Sequence, residues 1–153
     1  MRLDKFTTKF QQALGDAQSI ALGKDHPCIE PQHLLLALLQ QQDGSTVSLL
    51  QRAGINVNPL REALAKSLER MAKIEGGGGE INISRELNNL LNLTDKEAQK
   101  HGDQFIASEM FLLALLEDKG ETGLLLKQHG ASRSALEQAI KSVRGGEQVS
   151  SAE

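Results

Sequence analysis

The chain has 153 residues, a net charge of −3 with acids and bases interspersed, and one cysteine, Cys28, which excludes an internal disulfide. A chain of this length suits one domain, or two small halves sharing a core, and can bury roughly 70% of the surface its unfolded form exposes. With no basic face, no Trp and no Tyr, the composition argues against a nucleic-acid partner, and the longest apolar run, Met110–Leu116, is too short to cross a membrane.

The start, "MRLDKFTTKF", lacks a continuous apolar segment, so no signal peptide is read there. Together with the lone thiol this predicts a soluble protein in the reducing cytoplasm. Phe10, Ala13, Leu14, Ala17 and Ala21 recur at helical spacing and predict a first helix over about Leu3 to Gly23, with Thr7 as an internal start or cap. A second helix is predicted from Pro31, where a missing N–H costs nothing, to near Gln41. A short third helix leads to Gly54, read as a C-terminal glycine at positive φ. The fourth, carrying Leu60, Ala63, Leu64, Ser67 and Leu68, runs from about Asn58 to Met71. After a connector the plan resumes over Ser84 to His101, Ser108 to Asp118, Glu121 to His129 and Ser132 to Val143, with Ser84 as an N-cap. β-Branched residues are sparse, so the predicted class is all-α, with eight helices.

The two halves are copies. "LLALL" occurs at Leu35–Leu39 and at Leu112–Leu116, 77 positions on. The same offset aligns Phe10 with Leu87, Ala13 with Leu90, Leu14 with Leu91, Ala21 with Ala98 and Ile29 with Ile106. After a one-residue loss the offset is 76, and Leu50 meets Leu126, Gly54 meets Gly130, Leu60 meets Leu136 and Ala63 meets Ala139. Two pseudo-symmetric repeats of four helices are therefore expected. Repeat one covers about 1–71, a connector 72–83, and repeat two about 84–144, inside one domain spanning 1–144.

The connector, "AKIEGGGGEINI", lacks the Gly-Lys-Ser/Thr ending of a phosphate loop, and Glu80 would repel phosphate, so it reads as a flexible joint. Residues 145–153, within "RGGEQVSSAE", read as a linker towards a module that is absent. His26, His33, His101 and His129 are scattered, with no HExxH or CxxC spacing, so no metal site is expected. Cys28 beside Pro27 and Ile29 reads as a small buried residue rather than a nucleophile. What remains is a binding module, with a groove between repeats as the natural seat for a partner helix or an extended peptide.

In order and spacing, "MRLDKFT", "IEPQHLLLALL", "AGI", "GDQFIASEMFLLALLE" and "RGGE" resemble the N-terminal domain of the Clp-family AAA+ unfoldases, most nearly the ClpB-type disaggregases. The resemblance implies two imperfect four-helix repeats, in agreement with the periodicity. It implies a monomeric domain without ATPase activity or a cofactor of its own. In the full-length protein it would be tethered to ATPase modules that use ATP and magnesium, form a homohexamer and cooperate with the DnaK chaperone system. The domain would bind unfolded or aggregated polypeptide and deliver it to the ring. A different role, docking a folded adaptor, is implied by the ClpA and ClpC relatives.

Thr7, Asp103 and Glu109 match polar positions associated with substrate handling in that family. Each also has a local role open to it: Thr7 as a cap, Asp103 in the turn after Gly102, and Glu109 on the helix dipole. Leu93 and Met110 match an exposed apolar groove of the family, with Leu93 rotated off the stripe of Leu87, Leu90, Leu91 and Ala98; the other reading is a core contact with the first repeat. Glu97 stands where an apolar residue is usual and is expected to place a charge at the groove edge, favouring basic flanks on a substrate.

Overall fold

The structure, a computed structural model, describes residues 2–74 and 80–153. The glycine run Gly76–Gly79, read as a flexible joint, lies outside the described residues. Eight helices follow in chain order: α1 (Thr8–Gly23), α2 (Pro31–Gln40), α3 (Thr46–Arg52), α4 (Val57–Glu69), α5 (Arg85–Lys100), α6 (Ser108–Glu117), α7 (Glu121–Gln128) and α8 (Arg133–Arg144). The chain is all-α in two repeats of four. The first helix differs from its expected start at Leu3. Leu3–Lys5 form a separate 3-10 turn, and the chain then extends through Phe6 and Thr7. Thr7 cannot continue a helix there because its N–H donates to the Ile106 carbonyl (3.0 Å) while its hydroxyl caps α1 by accepting from Phe10 N (3.3 Å).

The duplicated "LLALL" runs are the two central pillars. Leu34–Leu39 on α2 and Met110–Leu116 on α6 are buried on every side, as suits a helix apolar all round. Around each pillar the other helices are amphipathic. α1 lays Phe10, Ala13, Ala17 and Ala21 against α2, and α5 lays Leu87, Leu90, Leu91 and Ala98 against α6. The repeats also interlock, α3 packing on α8 and α4 on α7. Phe10 and Phe111 meet with ring centroids 6.1 Å apart, joining α1 of one repeat to α6 of the other.

Two short extended pairings cross between the repeats. The strand β1 (Cys28–Ile29), just before α2, pairs in parallel with β2 (Asn82–Ile83), just before α5. Ile106, just before α6, pairs in parallel with Phe6, just before α1. Phe6 and Ile83 are 77 apart, as are Ile29 and Ile106, so the two pairings are the same exchange seen from each repeat. Their hydrogen bonds match: Ser84 N donates to Ile29 O and Thr7 N to Ile106 O, both at 3.0 Å. Across the same pseudo-axis, Asn56 N donates to His129 O (3.4 Å), where the turns at Gly54 and Gly130 meet. A Cβ on Gly130 would sit 3.2 Å from the Gly54 carbonyl oxygen, and both glycines hold positive φ.

Candidate functional site

Thr7, about a hundred positions from Asp103 and Glu109 in sequence, meets them in one region at the start of α1 and α6. Thr7 reaches it as the N-cap of α1. Asp103 follows Gly102, whose φ of +73° turns the chain out of α5, and Asp103 N closes that turn on Ala98 O (2.9 Å). Glu109 is in the first turn of α6. Both carboxylates converge on Arg144, the last residue of α8. Arg144 Nη1 donates to Asp103 Oδ1 (3.0 Å) and Nε donates to Glu109 Oε2 (3.1 Å). Nη2 lies 3.0 Å from Asp103 Oδ2 and 2.9 Å from Glu109 Oε2, in ionic contact without hydrogen-bond alignment. The Asp103 side chain is fully buried and that of Glu109 is 18% exposed, so two carboxylates share one guanidinium with one negative charge in excess.

Arg144 is the member of the cluster that residue type alone does not mark. The signal was in the repeat: at offset 76 its counterpart is Leu68, a core residue of α4, so an apolar position has become a buried cation. Beside this cluster a cleft of about 310 Å³ is lined by Thr7, Gln41, Thr46, Ser108, Glu109 and Val149. Val149 belongs to residues 145–153, read above as a linker. That segment returns to the domain: Val149 N donates to Asp103 Oδ1, the oxygen that Arg144 Nη1 also meets, at 3.0 Å.

The expected exposed groove of Leu93 and Met110 is not present in that form. Met110 is fully buried, because α6 is apolar on all faces and offers no solvent side at that position. Leu93 is half-buried and packs against the core, since it stands three residues from Leu90 and so at the edge of the same stripe. Glu97 also corrects its expectation. It is 4% exposed and does not edge a groove; Arg133 Nη1 and Nη2 donate to its two oxygens at 2.9 and 2.8 Å. That bidentate bond holds the Glu97 carboxyl below its ordinary range, against the opposing effect of burial. The same guanidinium donates to Glu117 and Glu137, each at 2.9 Å, so the charge of Glu97 is spent inside a network on α8.

An apolar groove does exist elsewhere. It has a volume of about 450 Å³ and lies on the seam of the repeats, where Leu3, Phe6, Leu14, Ile29, Ile83 and Leu91 line it. Leu3 is 60% exposed at its rim. A groove between the repeats was expected from the duplication, but its lining was not, because Leu14 and Leu91 of α1 and α5 are joined there by Leu3, Phe6, Ile29 and Ile83 from the segments that precede helices.

Nucleotide does not fit the residues present. The guanidinium groups of Arg133 and Arg144 are already held by carboxylates, so neither is free to cradle a phosphate. Among those residues no helix is long and apolar enough to cross a membrane, and no three His, Cys, Asp or Glu side chains converge on a metal position.

A family profile described as the Clp repeat (R) N-terminal domain matches residues 5–129. The chain is 49% identical over 152 residues to the chaperone protein ClpB of Pseudomonas putida, a match covering 99% of this chain and 18% of that protein. The chain thus spans under a fifth of the length of the curated relatives it matches. Among solved structures, the Hsp104 N-terminal domain from Candida albicans superposes with a TM-score of 0.84 at 23% identity, covering 97% of both chains. The N-terminal domain of the ClpV1 ATPase from E. coli superposes with a TM-score of 0.77 at 26% identity, covering 94% of this chain and 88% of that one.

Proposed function

The chain belongs to the Clp repeat N-terminal domain family, and on that premise we propose that it is the substrate-binding N-terminal domain of an ATP-dependent disaggregase. It takes up unfolded or aggregated polypeptide and passes it to ATPase modules elsewhere in a longer protein. Those modules, rather than this domain, would use ATP and magnesium, assemble the homohexamer and work with the DnaK system. The domain itself acts as a soluble monomer in the cytoplasm. Thr7, Asp103 and Glu109 form the polar part of the binding region, and Leu93 contributes apolar surface at the edge of α5.

The observation that supports this reading is that Thr7 and Glu109 line a single cleft and that Asp103 is tied to its edge through Arg144 and Val149. Local roles account for Thr7 as a cap, yet a structural ion pair needs one carboxylate, and here two are gathered on Arg144 beside an open cleft. A second reading, docking of a defined adaptor, is supported by the polar side chains of the same cleft, Thr7, Gln41, Thr46 and Glu109, which could pair with a matching set on one partner.

The test is a backbone-amide NMR titration of the chain with a reduced, carboxymethylated polypeptide that stays unfolded. Shifts gathered around Thr7, Leu93, Asp103 and Glu109 are expected, with weak affinity and tolerance of sequence. No shift at high ligand concentration would remove direct capture by this domain. A saturable one-to-one complex with a folded protein only would favour docking.

A further inference from the structure

Residues 148–152 do not leave the domain; they lie along it in the cleft region just described. The contacts are made by main chain. Gln104 N and Phe105 N both donate to Val149 O, at 2.7 and 3.3 Å. Thr8 N donates to Ala152 O at 2.8 Å. Thr8 is the first residue of α1, so its N–H has no partner within the helix and is free for an outside carbonyl. In return Val149 N donates to Asp103 Oδ1, the oxygen that also binds Arg144. Gly102 lies against the Gln148 side-chain amide, where any Cβ would collide with it. Only Val149 and Ala152 turn their side chains partly inward; Ser150 and Ser151 face solvent.

We propose that this track, from Gln104–Phe105 to Thr8, is the seat for an extended segment of substrate polypeptide, and that residues 148–152 are its built-in competitor. The proposal rests on the substrate-binding reading given above and specifies its mode. Recognition is by backbone groups, as when a strand is added to an open edge, and is therefore tolerant of sequence. The side-chain requirement is two small or β-branched residues three apart, in the places of Val149 and Ala152. The excess negative charge of Asp103 and Glu109 over Arg144 disfavours acidic residues there. Asp103 then has a binding role of its own: once the segment 148–152 departs, its Oδ1 accepts the substrate's N–H in place of Val149 N. A seat that is partly closed lowers apparent affinity by the fraction of time it is open, which matches a domain that must release what it binds.

The experiment compares the parent chain with Val149→Pro, which removes the N–H donor to Asp103, and with a chain ending at Glu147, which keeps α8 whole. Two quantities are read: hydrogen exchange at the Thr8, Gln104 and Phe105 amides, and affinity for the reduced, carboxymethylated polypeptide. The expected result is faster exchange at all three amides without ligand. Affinity is expected to rise at least about threefold, the factor for a seat closed about two-thirds of the time. Equal affinity in all three chains overturns the competitor while leaving substrate capture intact. Binding that leaves the Thr8, Gln104 and Phe105 shifts unchanged overturns the seat and points to another surface. Binding by none of the chains overturns both the seat and the capture reading it rests on.

Discussion

The His33 ring accepts the Glu30 N–H at Nδ1 over 2.8 Å, which leaves its proton on Nε2 to donate to His26 Nδ1, also at 2.8 Å. Protonating His33 would put an N–H at Nδ1 directly against the Glu30 N–H that it now accepts. Burial is the main cause that lowers its pKa, to about 4, helped by His26 and Lys24; His26 is lowered too, chiefly by burial. A histidine with a depressed folded pKa binds fewer protons folded than unfolded. Its contribution is therefore complete above the unfolded value and is lost as pH falls from about 6.5 to about 4. Denaturant unfolding should show stability falling across that window by roughly 3 kcal/mol at most, with the His33 ring resonances titrating only near its lower end. Ring resonances moving at pH 6.5 would refute the buried pair. At this scale the sequence was partly legible. Thr7, Asp103 and Glu109 could be named only through the family resemblance; what the residues themselves signal is a cap, a turn and a dipole charge. Met110 and Glu97 were misplaced because exposure depends on what packs over a residue, which the residue does not record. At the 77-residue offset Met110 and Asp103 stand in the places of His33 and His26, so a fully buried methionine fills the space of a fully buried histidine.

At the scale of elements, α7 shows how closely a helix can be seated. Gly123 lies inside it, and a Cβ there would collide with the Leu115 carbonyl oxygen and sit 3.0 Å from the Asp118 carbonyl oxygen at the end of α6. Both obstacles are backbone, which cannot rotate aside as a side chain does. Gly123→Ala gains helix propensity yet should cost about 1–3 kcal/mol, as overpacking does in a filled core. A denaturation midpoint equal to or above that of the parent would show that α7 can shift outward instead. Helix positions were legible because period 3.6 with Pro31, Gly54, Ser84 and Gly130 as punctuation marks them locally. Thr7 was readable as an internal start or cap of the first helix, but the extended path through Phe6 was not, since the carbonyl that holds Thr7 N belongs to Ile106, about a hundred positions away.

In the whole molecule the two exchanged pairings, Ile29 with Ile83 and Ile106 with Phe6, make each repeat complete the other. The Phe10–Phe111 contact and the packing of α3 on α8 and α4 on α7 do the same for the core. Thermal unfolding should therefore be a single transition with equal calorimetric and van't Hoff enthalpies, and residues 1–74 alone should stay unfolded. Two resolved transitions, or a helical and cooperative fragment, would show that the repeats are independent. The amino-acid sequence by itself determined the helical class, the eight elements, the duplication and, through "IEPQHLLLALL" and "GDQFIASEMFLLALLE", the family. These rest on periodicity and order, which are local properties of a chain. Only the tertiary structure decided that Arg144 gathers Asp103 and Glu109, that Glu97 is spent on Arg133, and that residues 148–152 return to lie along Thr8 and Gln104. Each of those depends on groups brought together from 35 to more than 100 positions apart, and an ion pair or a main-chain hydrogen bond leaves no pattern in the sequence between its partners.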